Sequence, residues 1–190
     1  MLTRSVIRIT RGAFLWSGAA ALIAAGADAD IFGTLRVGGY ALYFRHGPTD
    51  HSQSDTTTDY NDCSKQRNLT AAGRGLERRI GEAIRALAIP IGPVVTDKFC
   101  RTRESAQLLF GKYTIDTRLM PGAEQLSDNL RHALATPPPE HTNIAYVLHH
   151  NELVAIGGPS LAEGDAAVYK SVVNGAQLIA QVAANAWLTR

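Results

Sequence analysis

Tyr40-Ala41-Leu42-Tyr43-Phe44-Arg45-His46-Gly47 is the stretch on which the fold turns. Its first five residues are apolar or aromatic, which suits a short buried strand. Directly behind them come a permanent cation, an imidazole and a glycine. Ligands of open α/β sheets bind beyond the strand ends, so an Arg-His pair placed there points into a site. Taken alone, the dipeptide reads more readily as a surface pair, because both side chains are amphipathic and common outside cores. Two other stretches repeat the form and move the reading toward a site. Val94-Val95-Thr96 runs into Asp97-Lys98-Phe99-Cys100-Arg101-Thr102-Arg103-Glu104-Ser105-Ala106, and Ile144-Ala145-Tyr146-Val147-Leu148 runs into His149-His150-Asn151.

Helical patterns separate these runs. Thr70 is placed to cap a helix in which Leu76, Ile80, Ile84 and Leu87 recur on one face, with Arg74, Glu77, Arg78, Glu82 and Arg85 read as the solvated face. Arg101 to Phe110 reads as a second helix, and Ala123 to Ala135 as a third that ends before Pro137-Pro138-Pro139. Strand-like pieces return around Ala167-Val168-Tyr169 and Leu178-Ile179-Ala180. Alternating strands and helices predict an α/β fold, a mainly parallel open sheet with helices on both faces. At 190 residues the chain is sized for one domain. Between Pro48 and Asn68 lies a polar, Asp-rich stretch too long for a simple connection, read either as a cover over a site or as a solvated rim.

The three strand ends, taken together, resemble the histidine phosphatase superfamily, with its phosphoglycerate-mutase-like three-layer sandwich, and in particular its small branch-one members. That family carries Arg-His-Gly after its first strand, an Arg shortly before a Thr/Ser-Ala pair at a helix start, and a His after a later strand. On this chain these positions are Arg45 and His46, Arg101 with Ser105-Ala106, and His150. The resemblance implies that His46 is the nucleophile, forming a phosphohistidine, and that Arg45, Arg101 and His150 hold the phosphate. Arginine suits that task because its planar fork stays charged and binds two oxygens at once. Arg103 competes with Arg101, but Arg101 has the family spacing to Ser105, which leaves Arg103 a rim or structural role. His149 is expected to be satisfied by backbone or solvent, since neighbours on a strand face opposite ways.

The acid that protonates the leaving group is not settled by these residues. The larger relatives place a Glu soon after a Leu following the third strand, whereas here Leu119 is followed by Met120-Pro121. Glu124 is the nearest substitute, Asp50 and Glu152 are its rivals, and some relatives have no such group. No cofactor is expected. The chain has no His-x3-His, His-Glu-x-x-His or Asp-rich ligand loop, so no metal site is expected either.

Arg4, Arg8 and Arg11 precede the apolar run Ala13 to Ala25, and Ala25-Gly26-Ala27 has the small residues of a cleavage site. Residues 1–27 therefore read as a signal peptide ahead of a domain over 28–190, and the protein as exported, periplasmic or secreted. A retained anchor is the alternative, although the run is shorter than the roughly 20 apolar residues of a bilayer span. Without that segment, 16 basic residues face 17 acidic ones, and nothing points to nucleic acid. An oxidising destination makes Cys63 and Cys100 a reasonable disulfide, with two separate buried thiols as the alternative.

These readings converge on a metal-independent phosphatase acting on a small phosphorylated substrate. A phosphoglycerate-type mutase and a catalytically weak phosphate-binding module are the alternatives.

Overall fold

A computed structural model describes residues 28–189, and the segment read as a signal peptide lies outside them. The elements in order are α1 (Asp28–Val37), β1 (Ala41–Arg45), α2 (Ala71–Ala86), β2 (Ile91–Thr96), α3 (Cys100–Phe110), β3 (Thr114–Ile115), α4 (Leu126–Ala135), β4 (Asn143–Leu148), α5 (His150–Ala155), β5 (Ala166–Val172) and β6 (Gly175–Val182). Single 3-10 turns occupy Cys63–Lys65, Thr117–Leu119 and Ala184–Thr189. The strands form one six-stranded sheet in the order β3-β2-β4-β1-β5-β6. β3, β2, β4 and β1 run parallel, while β5 and β6 add an antiparallel hairpin at one edge.

Alternation along β1 builds both halves of the core, because successive side chains point to opposite faces. Leu42 and Phe44 enter the layer made by α1, α2, α3 and the final 3-10 turn, with Ile80, Ile84, Leu109 and Trp187. Phe44 stacks on Trp187 and meets Phe110 edge-on. Ala41 and Tyr43 enter the opposite layer, with Leu130 and Leu134 of α4 and Leu153 of α5. A strand buried on both faces fits the middle of a three-layer sandwich. Arg45 pairs in register with Leu148, so the residues just beyond β1 and β4 leave the sheet side by side.

α2 begins as its sequence predicts, with the Thr70 hydroxyl accepting from the Gly73 amide at 2.9 Å. Gly73 is required by close approach, since a Cβ there would lie 2.1 Å from the Pro48 carbonyl oxygen. Gly81 plays the same part against α3, where a Cβ would lie 2.4 Å from the Leu109 carbonyl oxygen. One expectation about α2 fails, because Glu77 is completely buried and not on the solvated face. Gly73, Glu77, Ile80, Gly81 and Ile84 fall at helical spacings of three and four and form a single inward stripe. α4 is also shorter than its pattern, starting at Leu126 behind Gln125, whose φ of 57° breaks the helix.

Cys63 and Cys100 are disulfide-bonded, with Cα atoms 5.7 Å apart. The bond ties the polar segment after β1 to the first residue of α3.

Candidate active site

β1 delivers Arg45 and His46 to the end of the sheet. The His46 amide donates to the Leu148 carbonyl at 3.0 Å, which continues the β1–β4 ladder one residue past Arg45. The His46 ring is buried, and its Nδ1 lies 2.9 Å from the Gly47 carbonyl oxygen. A carbonyl can only accept, so Nδ1 carries the proton and the Nε2 lone pair is free. Burial, then the neighbouring His149 and the charges of Arg101 and Arg45, lower the ring to about 2 against the opposing bond to Gly47. His46 is therefore a neutral imidazole at any ordinary pH.

The ring set edge-on against His46, at 5.3 Å between centroids, belongs to His149. His149 is not satisfied by backbone or solvent as its sequence predicts: its Nε2 stands 2.8 Å from the Asp97 carboxylate. Tyr43 pins this turn from below by donating its hydroxyl to the His149 carbonyl at 2.6 Å. Asp97 directly follows β2 and is itself buried, accepting from the Phe99 amide and the Thr102 hydroxyl. His150 instead opens α5, half-buried, with Nδ1 lacking a hydrogen-bond partner.

Arg101 lies in the first turn of α3, buried, with its guanidinium 4.3 Å from the centroid of the Phe99 ring. Phe99 in turn meets His149 edge-on at 5.0 Å, so Arg101, Phe99, His149 and His46 form one continuous wall. Arg101 Nη1 donates to Asp55 at 2.9 Å, and its Nε is buried without an acceptor. Burial lowers its proton affinity, opposed by the Asp55 carboxylate. Arg45 is held in the same way. Its Nη1 donates to the Leu161 carbonyl at 2.8 Å, its Nη2 stands 3.4 Å from Glu163, and its Nε is again buried without an acceptor. Burial would raise the Glu163 carboxyl, but bonds from Thr49, with Arg45 and His51 nearby, bring it below the ordinary range.

Arg103 braces the disulfide, donating to the Tyr60 carbonyl at 2.8 Å and reaching Cys100 Sγ at 3.1 Å. Of the carboxylates considered as acids, Glu124 is exposed, and no contact links its side chain to these groups among the described residues. Asp50 is half-buried and accepts from the Ser52 amide and hydroxyl. Glu152 is buried in the first turn of α5, with Oε2 unpartnered. Asp97, Asp55, Glu163 and His149 were the groups that motif spacing missed. For Asp97 a signal existed, since it ends a strand-like run just as Arg45 does. Among the described residues, no cluster of His, Cys, Asp and Glu has the grouping to hold a metal ion.

No protein-family model and no curated protein sequence matches the chain. Solved structures do match. SixA from Agrobacterium tumefaciens superposes with a TM-score of 0.56 at 15% identity, covering 76% of this chain and 98% of that one. The protein histidine phosphatase SixA solved with tungstate gives 0.55 at 15% identity, over 76% and 97% of the two chains. The mycobacterial glucosyl-3-phosphoglycerate phosphatase gives 0.55 at 14% identity, over 76% and 99%. Identities this low bear on architecture alone, and with the sheet order and layers described above they show that the chain has a phosphoglycerate-mutase-like fold.

Proposed function

We propose that this protein is a phosphatase that works through a phosphohistidine on His46. The observation that carries the reading is the pair of buried Nε–H donors on Arg45 and Arg101, neither with a protein acceptor, whose charges both bear on a neutral His46 with a free Nε2. Buried donors of this kind are costly unless an anion completes them. In the proposed reaction the Nε2 lone pair forms a bond to phosphorus while the ester P–O bond breaks, and the leaving oxygen departs with its electron pair and takes up a proton. Water then attacks the same phosphorus, the P–N bond breaks back to His46, and inorganic phosphate is released. The arginines neutralise charge on the equatorial oxygens as it builds.

The second imidazole of the site is assigned to His149, because its ring packs on His46; His150, named by the family resemblance, stands outside this assignment. Glu124 is left out as acid for want of contact with the site. Glu163, its carboxyl held below the ordinary range, stands beside Arg45 and makes a poor proton donor, while Asp55 is committed to its contact with Arg101. The reading therefore favours substrates whose leaving group needs little protonation, such as aryl phosphates and phosphoramidates, over alkyl phosphates. The names of the superposing structures, a phosphohistidine phosphatase and a sugar-phosphate phosphatase, agree with a small phosphorylated substrate.

Export belongs to the same proposal. A disulfide is present, no described helix is long and apolar enough to cross a membrane, and residues 1–27 have the composition of a signal peptide.

The test is hydrolysis of p-nitrophenyl phosphate in the presence of a chelator. His46→Ala is expected to lower kcat/KM at least about 10³-fold, and Arg101→Ala about 10²-fold. Rapid acid-free quenching should trap phosphate on His46. A His46→Ala variant that keeps a tenth of the wild-type rate would falsify the assignment. The contacts of Asp55 and Glu163 with the two arginines favour one competing reading, a phosphate-binding module; saturable phosphate binding with no turnover of any ester would support that reading instead.

A further inference from the structure

Glu77 is a buried carboxyl beside the His46-Gly47 turn that the reaction above does not use. It reaches from α2 to the underside of Gly47, where a Cβ on that glycine would lie 2.5 Å from Glu77 Oε1. The Ser105 hydroxyl donates to the same Oε1 at 3.4 Å, and the Gly47 amide donates to the Ser105 oxygen at 3.0 Å. The Gly47 carbonyl then accepts from His46 Nδ1 at 2.9 Å. A chain of three hydrogen bonds thus joins the middle of α2 to the ring that attacks phosphorus.

Each link fixes the direction of the next. A serine hydroxyl rotates freely and can donate one bond. With Glu77 accepting that bond, the Ser105 lone pairs face the Gly47 amide. The Gly47 N–H and C=O belong to successive peptide units joined at its Cα, so a bond that fixes the N–H anchors the glycine whose C=O receives His46 Nδ1. Without the Glu77 acceptor, Ser105 can turn its hydrogen toward Gly47 and repel the amide. The Gly47 carbonyl then loosens, and the His46 proton is free to move to Nε2, where it blocks attack.

We propose that Glu77, acting through Ser105 and Gly47, is a positioning residue that sets the tautomer of His46. This rests on the reading of His46 as nucleophile.

The charge state of Glu77 matters to the relay. From α3 the group facing it is Ser105, and from the turn after β1 it is Gly47. On α2 itself Arg74 is engaged with Glu104 at 2.6 and 3.0 Å, and Arg78 is exposed. Glu77 makes no ion pair among the described residues, and its Oε2 is buried without a partner. Burial accordingly raises the carboxyl to about 8, with the Ser105 bond opposing. Above that pH a buried anion appears beneath Gly47, next to the space that a phosphate dianion must enter, and the site weakens.

Two readouts on the exported protein test this. Nitrogen-15 labelling of histidine reports the His46 tautomer, and kcat and KM for p-nitrophenyl phosphate are followed between about pH 5 and pH 9.5. The wild type should show a single Nδ1–H tautomer and a fall in kcat/KM of about tenfold per pH unit above the Glu77 transition. Glu77→Gln keeps an acceptor but cannot ionise, so the alkaline fall should vanish. Glu77→Leu and Ser105→Ala each remove the link. Each should mix the two His46 tautomers and lower kcat about tenfold with KM within about twofold, and the double variant should be no worse than either. If Glu77→Leu does not fold, Ser105→Ala breaks the same chain with little change in buried volume. An alkaline fall retained by Glu77→Gln, or a single tautomer with wild-type kcat in Ser105→Ala, would overturn the proposal. Should the wild type hydrolyse no ester at all, the phosphatase reading fails, while the tautomer signal still decides the relay.

Discussion

Replacing Cys63 and Cys100 together by serine should cost about 4 kcal/mol of stability. The bond closes a loop of 37 residues between β1 and α3. On the chain-entropy model, opening a loop of this length returns on the order of 13 cal/mol/K to the unfolded chain, or about 4 kcal/mol at room temperature. Two native contacts would remain in the variant, the Gln66 side chain on the Cys100 amide at 3.0 Å and Arg103 on the Tyr60 carbonyl at 2.8 Å. Local hydrogen bonds of this kind contribute only about 1 kcal/mol each, too little to replace the cross-link. Urea unfolding followed by tryptophan fluorescence gives the number directly. With a slope of about 2 kcal/mol/M the midpoint should fall by about 2 M, and dithiothreitol should produce the same fall in the wild type but none in the variant. The reasoning is refuted by a loss below about 1 kcal/mol, which would mean that the segment is already constrained when the chain is unfolded.

Thr70→Ala removes the cap on the Gly73 amide and should cost about 1 kcal/mol in the same urea experiment; an unchanged midpoint would show the cap to be idle. Gly81→Ala forces α2 away from the Leu109 carbonyl and should cost roughly 1 to 3 kcal/mol, whereas Gly75→Ala, with open space around it, should not destabilise; equal midpoints would contradict the close approach. Glu77 is held protonated up to about 8 in the fold against an ordinary carboxyl value of 4.5, so its contribution is complete below pH 4.5 and is lost as pH rises toward 8. The loss is on the order of 5 kcal/mol across that window. His46, lowered to about 2, acts in the opposite sense, with stability lost as pH falls below 6.5. The difference in stability between Glu77→Gln and wild type isolates the first effect; it should widen in favour of the variant from pH 5 to 8, and a difference independent of pH would refute it.

The strand ends were legible because periodicity and burial agree there. Val94-Val95-Thr96 and Ile144 to Leu148 are apolar runs that became β2 and β4, and the basic or imidazole residues behind them fell at one end of the sheet. Cys63 and Cys100 were legible as a pair from the predicted compartment alone. Glu77 was misread because a carboxylate at a helical position is normally solvated, and only the inward stripe from Gly73 to Ile84 shows that this one is not. The partners of the arginines were hidden for a different reason. Asp55 and Glu163 reach Arg101 and Arg45 across 46 and 118 residues, and no local pattern encodes contacts of that range. His149 and His150 differ by a single residue of register at the end of β4, which side-chain alternation cannot resolve once the strand gives way to α5.

If the two arginines bind phosphate as proposed, the carboxylates seated on them make the site an ion exchanger. An entering anion must displace Asp55 from Arg101 and Glu163 from Arg45, or share those cations with them. A singly charged guest such as chloride or acetate has little to gain over the resident carboxylates, whereas a phosphate dianion brings two charges and three oxygens to the same donors. Selectivity against the common small anions is therefore written into the resting state. In the reaction proposed above, departure of the product phosphate would leave Arg101 to its Asp55 partner again.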